Sequence, residues 1–323
     1  MRYDDAMPIY FDGVSILPAY SELDRESEVD LSVTIGDAGL TCPLILSPMD
    51  SCSSVHTVRV ITRLGGLGVL HRFCSIDHQV AMATELLGEF GPGLVHVAIG
   101  ASGDAKTWLE RLWAAGVRNY WMDVAHGNTA KAHHMAAEVQ RRGGFVVSGA
   151  VCVPLDPSQL SGVRYHAIKY GVGGGQLCAT RSQRGVGTAS LDRLALMRRA
   201  APESTMFFYD GGIRSSGDIL KALAFGADAV IIGSLFAATL DSPAPFVGEG
   251  LKMIRGMGST EAQLDHGLDE EEIVSEGMVR TVPVSRKLES VIKELVKGLK
   301  LGFFYTGCRS IGEFREQVQL VRV

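Results

Sequence analysis

The sequence lacks the long apolar run that a membrane-spanning helix needs, since none of its hydrophobic stretches approaches about 20 residues. It also lacks the basic-then-apolar order of a secretory signal at its N-terminus, which reads MRYDDAMPIYFDG. These two absences argue against a membrane partner and lead us to expect a cytoplasmic protein.

Paired cysteines and clustered basic residues are missing too. The six cysteines occur singly, with no CxxC pair and no regular spacing, so neither a disulfide framework nor a zinc site is indicated. The 31 basic residues are scattered and the formal net charge is −5, which gives no electrostatic footprint for nucleic acid. With 46% hydrophobic residues among 323, the chain can bury a sizeable core, and small molecules or proteins are its expected partners.

The chain does contain a recurring pattern of short apolar runs, each followed by polar or glycine-rich residues and then by helical periodicity. Near-continuous hydrophobicity suits parallel strands that are covered on both faces. Eight such runs predict a (β/α)8 TIM barrel, with an open doubly wound sheet as the structural alternative. The predicted strands are PLILSP (43–48), LGVLH (67–71), LVHVAI (94–99), RNYWMD (118–123), FVVSGA (145–150), HAIKYG (166–171), TMFFYD (205–210) and DAVIIG (228–233).

The segments outside the strands predict one barrel domain that spans 1–323. Residues 1–40 are interpreted as an N-terminal arm that crosses the barrel bottom. The polar, acidic stretch 259–280 is too long for an ordinary connection and is interpreted as a mobile flap. Residues 285–302 return to the periodicity of an amphipathic helix.

Glycines cluster where two of the predicted strands end. In this barrel class the active site lies at the carboxyl ends of the strands, and phosphate is commonly held by the loops after strands 7 and 8. Strand 7 ends in Asp210-Gly211-Gly212 and strand 8 in Gly233-Ser234, so backbone N–H groups and one hydroxyl can converge on an anion. Such glycines can also merely make tight turns. Their joint occurrence at the last two strands favours a phosphate cradle, with Asp210 as a ribose ligand or, alternatively, a helix cap.

The loop after strand 6 is the most unusual segment. Its glycines let the backbone approach a ligand closely, and their carbonyls can bind a monovalent cation, although composition alone does not show it. Cys178 follows on an otherwise polar loop. A lone cysteine is often a buried structural residue, but one at a strand's carboxyl end has the setting for thiolate activation. Cys178 is therefore a candidate nucleophile.

Several motifs at matching spacing give the chain a resemblance to the IMP dehydrogenase and GMP reductase family. Besides the Cys178 loop, they are FDGVSILPAYSEL (11–23), LSPMDSCSS (46–54), GGLGVLHR (65–72), DGGIRSSGDILKALAFGADAVIIGS (210–234), RGMGS (255–259) and SEGMVRTVPVS (275–285). The resemblance covers nearly the whole chain. It implies a catalytic barrel in which Cys178 attacks C2 of a purine nucleotide and hydride passes to or from a nicotinamide cofactor.

The resemblance also implies roles for individual positions and a homotetrameric assembly. Residues that match substrate-binding positions are Met49, Asp210, Gly211, Gly212, Gly233, Ser234, Met257 and Gly258; cofactor-side positions are Asp123, Ala125 and Gly127; and Gly173, Gly175 and Cys178 match residues whose carbonyls hold potassium in relatives.

Two features favour the reductive reaction of the family. Only residues 73–93 separate strands 2 and 3, where IMP dehydrogenases commonly carry inserted regulatory CBS modules. Residues 259–279 contain neither arginine nor tyrosine, whereas dehydrogenases use an Arg-Tyr pair on the flap to activate water. A reductase needs no water attack, because ammonia leaves and NADPH then delivers hydride to C2.

The chain is also similar to GMP reductases in a threonine two residues after the cysteine and a glutamate before glycine at the flap's end. These residues are Thr180 and Glu276. A carboxyl group beside a hydroxyl can relay the proton that departing ammonia requires. Alternatively, Glu276 is one more acid after the run 269–272. The resemblance thus implies NADPH-dependent reductive deamination of GMP to IMP, with Cys178, Thr180 and Glu276 as catalytic residues.

A few positions depart from the family pattern. Gln176 and Ile254 stand where a serine and a tyrosine usually contact phosphate. Ala150 and His126 replace asparagines, and RGMGS resembles the dehydrogenase form. These departures leave open a modified or deazapurine nucleotide as substrate, or an IMP dehydrogenase without CBS modules. A barrel that binds a purine nucleotide for regulation, without turnover, is the non-enzymatic alternative.

Overall fold

The computed structural model describes residues 7–267 and 269–323. Residues 1–6 of the predicted arm and Leu268 of the predicted flap lie outside this part of the chain.

Eight parallel strands close into a barrel. The strands are β1 (Leu44–Leu46), β2 (Leu67–Leu70), β3 (His96–Ile99), β4 (Asn119–Met122), β5 (Phe145–Val151), β6 (Ala167–Tyr170), β7 (Met206–Asp210) and β8 (Ala229–Ile232). Strand β8 pairs with β1, placing Val230 opposite Leu44, and β6 pairs with β7, so the strand order β7-β8-β1-β2-β3-β4-β5-β6 has no open edge. This closure confirms the (β/α)8 prediction and excludes the doubly wound sheet.

Side chains from alternate strand positions fill the barrel interior, as the near-continuous apolar runs require. They include Trp121 and Phe208, whose rings stack 5.3 Å apart. The antiparallel hairpin of Val33–Ile35 and Ala38–Leu40 packs into the same cluster from the amino ends of the strands, where a Cβ on Gly36 would lie 3.0 Å from the Phe145 ring. This part of the arm therefore closes the barrel bottom.

The first described residues of the arm lie elsewhere. The Phe11 ring is 5.2 Å from that of Tyr209 in β7 and lies near Gly212, at the carboxyl ends of the strands. Val14–Ile16 then pairs antiparallel with Leu320–Arg322. The arm thus runs along the outside of the barrel before it reaches the bottom.

Helices cover the barrel, with one exception. Between β5 and β6, where every residue is described, the connection has a 3-10 turn at Pro157–Gln159 in place of an α-helix. Ser215 caps the helix Ser216–Ala224 by accepting from the Asp218 amide, and Asp104, just before the helix Ala105–Ala114, accepts the Trp108 indole N–H. The helices are α1 (Val55–Arg63), α2 (Ile76–Phe90), α3 (Ala105–Ala114), α4 (Ala130–Arg141), α5 (Thr180–Arg184), α6 (Leu191–Ala200), α7 (Ser216–Ala224), α8 (Ser234–Ala237), α9 (Thr260–Asp265), α10 (Leu288–Thr306) and α11 (Ile311–Gln317).

The predicted amphipathic helix 285–302 corresponds to α10, which buries Leu288, Ile292 and Leu299. Across residues 7–267 and 269–323, every helix is too short or too polar to cross a bilayer.

After β8 the chain builds a small antiparallel sheet from Phe246–Gly248, Leu251–Arg255 and Val279–Pro283. The second and third strands of this sheet flank the segment 259–280. That segment contains α9 and a 3-10 turn at Glu270–Glu272 before it enters the third strand. The sheet therefore holds both ends of the segment next to the carboxyl face of the barrel.

Candidate active site

A cavity of about 1050 Å³ opens at the carboxyl ends of the strands. Strand ends or the segments that follow them contribute to its wall from all eight strands, and segment 259–280 covers one side. Its size reaches the upper end of the range for small-molecule pockets, which suits more than one ligand group. Of the residues singled out in the sequence, those that line it are Met49, Asp123, Ala125, Ala150, Gly173, Gly175, Gln176, Cys178, Thr180, Asp210, Gly211, Gly212, Gly233, Ser234, Met257, Gly258 and Glu276.

The glycine-containing loops after β6 and β7 pack closely against each other at the cavity wall. Gly211 adopts φ +99°, and a Cβ there would come within 2.5 Å of the Gly175 backbone nitrogen. A Cβ on Gly171, where φ is +120°, would lie 2.5 Å from the Asp210 carbonyl oxygen. Only glycine permits these backbone-to-backbone approaches. The glycines thus do more than make turns, because they let the loops after β6 and β7 present bare backbone to the cavity.

Cys178 lies in this wall, half-buried, beside a hydroxyl and a carboxylate. Its Sγ is 3.3 Å from Thr180 Oγ1, and the Thr180 hydroxyl donates to Glu276 Oε2 at 3.1 Å. The structure therefore brings the three predicted catalytic side chains into one hydrogen-bonded chain. Cys42, by contrast, is buried in the core, where burial raises the pKa of its thiol to about 11.

Backbone contacts fix Glu276 against the cysteine loop although 96 residues separate it from Thr180. The Ala179 amide donates to the Glu276 carbonyl at 2.7 Å, and the Met278 amide donates to the Leu177 carbonyl at 2.9 Å. Gly277, which lies between these contacts, pairs with Cys178 as an antiparallel bridge. The end of segment 259–280 is thus held by backbone hydrogen bonds to the loop that carries Cys178.

Arg184 also contacts Glu276, and sequence reasoning missed it. Its Nε donates to Glu276 Oε1 at 3.0 Å, and its terminal nitrogen donates to the Ser275 carbonyl at 3.2 Å. The available signal was the four-residue spacing from Thr180, which puts both side chains on one face of a helical turn.

A buried lysine links the two sides of the cavity, and it was missed as well. Lys169 Nζ lies 3.2 Å from Asp210 Oδ2 and 3.6 Å from Asp123 Oδ1. Burial by itself would lower the pKa of the Lys169 ammonium, but the two carboxylates outweigh it and raise that pKa above its ordinary value. Arg72 Nε donates to Asp123 Oδ2 at 3.2 Å. The signal in the sequence was a lone cation inside the apolar strand HAIKYG.

The start of segment 259–280 is anchored by ion pairs. Arg255 donates to Asp50 Oδ2 at 2.6 Å and to Asp265 at 2.5 Å, so it joins the loop after β1 to α9. Burial opposes ionisation of Asp50, but His266 and Arg255 outweigh it and hold the Asp50 pKa below its ordinary value. Met257 Sδ accepts the Asp50 amide at 3.4 Å, which fixes this side chain on the cavity wall.

Three positions lie away from the cavity. Gly127, predicted on the cofactor side, is buried behind the wall: its amide donates to the Ala150 carbonyl at 2.8 Å, and a Cβ would lie 2.5 Å from the Gly149 carbonyl oxygen. Its glycine identity therefore comes from backbone packing. Ile254 is only 2% exposed and packs into the core, and His126 lies exposed outside the cavity lining.

Comparisons with known proteins agree with this architecture. The family model described as "IMP dehydrogenase / GMP reductase domain" matches residues 9–323. The inosine-5'-monophosphate dehydrogenase of Chlorobaculum tepidum is 34% identical over 70% of this chain and 49% of its own length. That of Chlorobaculum parvum is 33% identical over 84% of this chain and 58% of its own length. The Mycobacterium tuberculosis H37Rv enzyme of the same name is 31% identical over 98% of this chain and 66% of its own.

The chain therefore spans about half to two thirds of the length of these curated relatives. The family model covers nearly all of this chain, and the eight strands form the closed barrel. The chain belongs to the IMP dehydrogenase / GMP reductase domain family.

Proposed function

We propose that this protein is a purine-nucleotide oxidoreductase of purine metabolism, and specifically that it catalyses NADPH-dependent reductive deamination of GMP to IMP. The observation that carries the proposal is the contact chain from Cys178 Sγ through Thr180 Oγ1 to Glu276. It supplies a nucleophile and a proton relay in one wall of a cavity large enough for a nucleotide and a nicotinamide.

The reaction uses this chain of groups in two directions. As Cys178 Sγ bonds to C2 of GMP, its proton passes to the Thr180 oxygen while the Thr180 proton moves to Glu276. The same relay returns a proton to the 2-amino group, and the C2–N bond breaks to release ammonia. NADPH, when bound, supplies the hydride that C2 requires. Cys178 then leaves C2 with the bonding pair to its sulfur, and IMP is formed.

The ligands are assigned to opposite sides of Lys169. On one side the bare backbone of Gly212 and Gly233 with Ser234 suits the phosphate, and Asp210 suits the ribose hydroxyls. Met49, Met257 and Gly258 would line the base. On the other side Asp123 and Ala125 would contact the nicotinamide half of the cofactor.

Two further features belong to the proposal. Backbone carbonyls of Gly173, Gly175 and Cys178 would hold potassium; the Gly175 carbonyl already accepts the Cys178 amide, and its second lone pair is available to a cation. Segment 259–280 would act as a mobile flap of a single catalytic barrel domain, and the enzyme would assemble as a cytoplasmic homotetramer.

A second candidate is oxidation of IMP, which is the activity in the names of the relatives. Hydrolysis of the adduct in that reaction needs a base for water, and residues 259–279 have no arginine or tyrosine to serve. This absence favours the reductase. The exposed Gln176 at the cavity and the apolar Ala150 in its wall support a third possibility, a modified or deazapurine nucleotide as the reductase substrate.

The test follows NADPH absorbance with GMP and NADH absorbance with IMP plus NAD, in parallel. We expect NADPH consumption with release of ammonia in the first mixture. NADH formation from IMP, with an inert first mixture, would establish the dehydrogenase instead. Turnover only with another purine from a panel would redirect the substrate assignment, and tight binding without any turnover would support a regulatory barrel.

A further inference from the structure

The short helix α5 presents two side chains to the two oxygens of one carboxylate. Thr180 is its first residue and Arg184 its last, so they stand four positions apart on the same face. Thr180 donates to Glu276 Oε2 at 3.1 Å, and Arg184 donates to Glu276 Oε1 at 3.0 Å. One helical turn therefore sets both the charge environment and the rotation of Glu276.

Arg184 also contacts the backbone of the segment that carries Glu276. Its guanidinium also binds the Ser275 carbonyl at 3.2 Å, immediately before Glu276 in the chain. The guanidinium therefore binds the Ser275 backbone and the Glu276 side chain at the same time. The planar group of arginine, with several N–H donors, supports this geometry, whereas the compact ammonium of lysine does not. Glu276 lines the cavity, and the Arg184 and Glu276 side chains are 33% and 30% exposed, so the pair is partly accessible to solvent.

We propose that Arg184 is a positioning residue that holds Glu276 Oε1 and so aims Glu276 Oε2 at the Thr180 hydroxyl. This inference rests on the proposed function, in which Glu276 takes a proton from Cys178 through Thr180 and returns it to departing ammonia. The Arg184 guanidinium fixes the rotation of the carboxylate, so that Glu276 Oε2 stays within hydrogen-bonding distance of the Thr180 hydroxyl. Arg184 neither gains nor loses a proton in the cycle.

The alternative is that the Arg184–Glu276 contact is only a structural link between α5 and segment 259–280. Such a link would contribute to thermal stability or to substrate affinity but would leave the rate of the chemical step unchanged. The two roles are therefore separated by the division of an effect between kcat and KM and by the reactivity of the Cys178 thiol. The contacts of the Glu276 carboxylate come from the Thr180 hydroxyl and the Arg184 guanidinium, so these are the groups to vary.

The experiment compares the full-length protein with Arg184→Gln and Arg184→Lys. The matched control is Arg141→Gln, which removes an arginine that pairs with Glu138 on the outer helix α4. Turnover of GMP with NADPH is measured over a range of GMP concentrations. For Arg184→Gln we expect kcat to fall by about tenfold or more and KM for GMP to stay within about twofold.

We expect Arg184→Lys to recover part of kcat and Arg141→Gln to match the wild type. An Arg184→Gln enzyme that keeps the wild-type kcat would overturn the inference, as would a change in KM alone.

A substrate-free readout separates this inference from the proposed reaction. Alkylation of Cys178 by iodoacetamide, followed by peptide mass spectrometry, reports whether Glu276 can accept the thiol proton through Thr180. We expect Arg184→Gln to slow this alkylation near neutral pH, and we expect no further slowing when it is added to Thr180→Val. If the wild type fails to turn over GMP yet the alkylation rates follow this pattern, the reaction assignment fails and the positioning role stands. Equal alkylation of wild type and Arg184→Gln refutes the positioning role whatever the substrate.

Discussion

Removing the cation of Lys169 should destabilise the fold as well as the site. Lys169 is 12% exposed and lies between Asp123 and Asp210, which are 16% and 24% exposed. The variant Lys169→Met keeps a chain of similar length and leaves two poorly solvated carboxylates facing each other. Breaking a fully buried ion pair costs about 3–5 kcal/mol, and the partial exposure of this triad reduces our expectation to about 2–3 kcal/mol.

The pKa of Lys169 determines how its contribution to the free energy of unfolding changes with pH. The carboxylates raise the pKa of Lys169 above its ordinary 10.5, so its contribution to stability is complete below that pH and is lost as pH rises through the folded-state value. In Lys169→Met the penalty comes from the ionised carboxylates, and we expect it to shrink on acidification toward pH 4, as they take up protons. Urea unfolding of both proteins between pH 4 and 8 measures the difference.

Two outcomes would refute the reasoning. The first is a loss of less than about 1 kcal/mol at pH 7, which would place the triad among ordinary surface pairs. The second is a loss that does not change with pH, which would point to packing in place of charge. The double variant Lys169→Met/Asp210→Asn, which removes one of the facing charges, should recover part of the stability, and failure to do so would also count against the account.

Three further predictions concern other parts of the molecule. Glu276→Gln and Thr180→Val should each lower kcat by about a hundredfold while leaving the Kd for GMP within a few-fold; kcat near the wild-type value in either variant would remove the relay from the mechanism. Gly211→Ala forces a Cβ to within 2.5 Å of the Gly175 nitrogen, so calorimetry should show strongly weakened GMP binding, and wild-type affinity would mean that this loop does not bind phosphate. Burial lowers the pKa of His96 to about 3 from 6.5, so acidification from pH 7.5 to 5 should cost about 2 kcal/mol of unfolding free energy, and an equal slope in His96→Gln would contradict this.

Much of the barrel could be predicted from the sequence, because each strand is an apolar run that must be covered on both faces. The predicted run HAIKYG, for example, corresponds to β6 at Ala167–Tyr170. The connection between β5 and β6 was less predictable, since a 3-10 turn at Pro157–Gln159 fills the place of a helix. The position of Phe11 beside Tyr209 depends on tertiary packing that leaves no local pattern.

The candidate site, like the fold, could be predicted from the sequence only in part. Cys178 and Thr180 are neighbours in the sequence, and the family resemblance added Glu276, which the structure brings to 3.1 Å from Thr180. Arg184 and Lys169 were missed, because their partners are distant in the chain or on other strands. A side-chain pairing of this kind becomes visible only when the loops are placed in three dimensions.

The central claim is that Cys178 forms a covalent bond to C2 of a purine nucleotide, and one measurement tests it most directly. Wild-type protein and Cys178→Ser are incubated with GMP in the absence of NADPH, and their intact and peptide masses are determined. Because hydride is withheld, the account predicts that the wild type gains the mass of GMP less ammonia on the peptide that contains Cys178, and that Cys178→Ser gains nothing. An unmodified wild-type Cys178 after incubation with GMP, with IMP plus NAD, and with a panel of other purine nucleotides would contradict it.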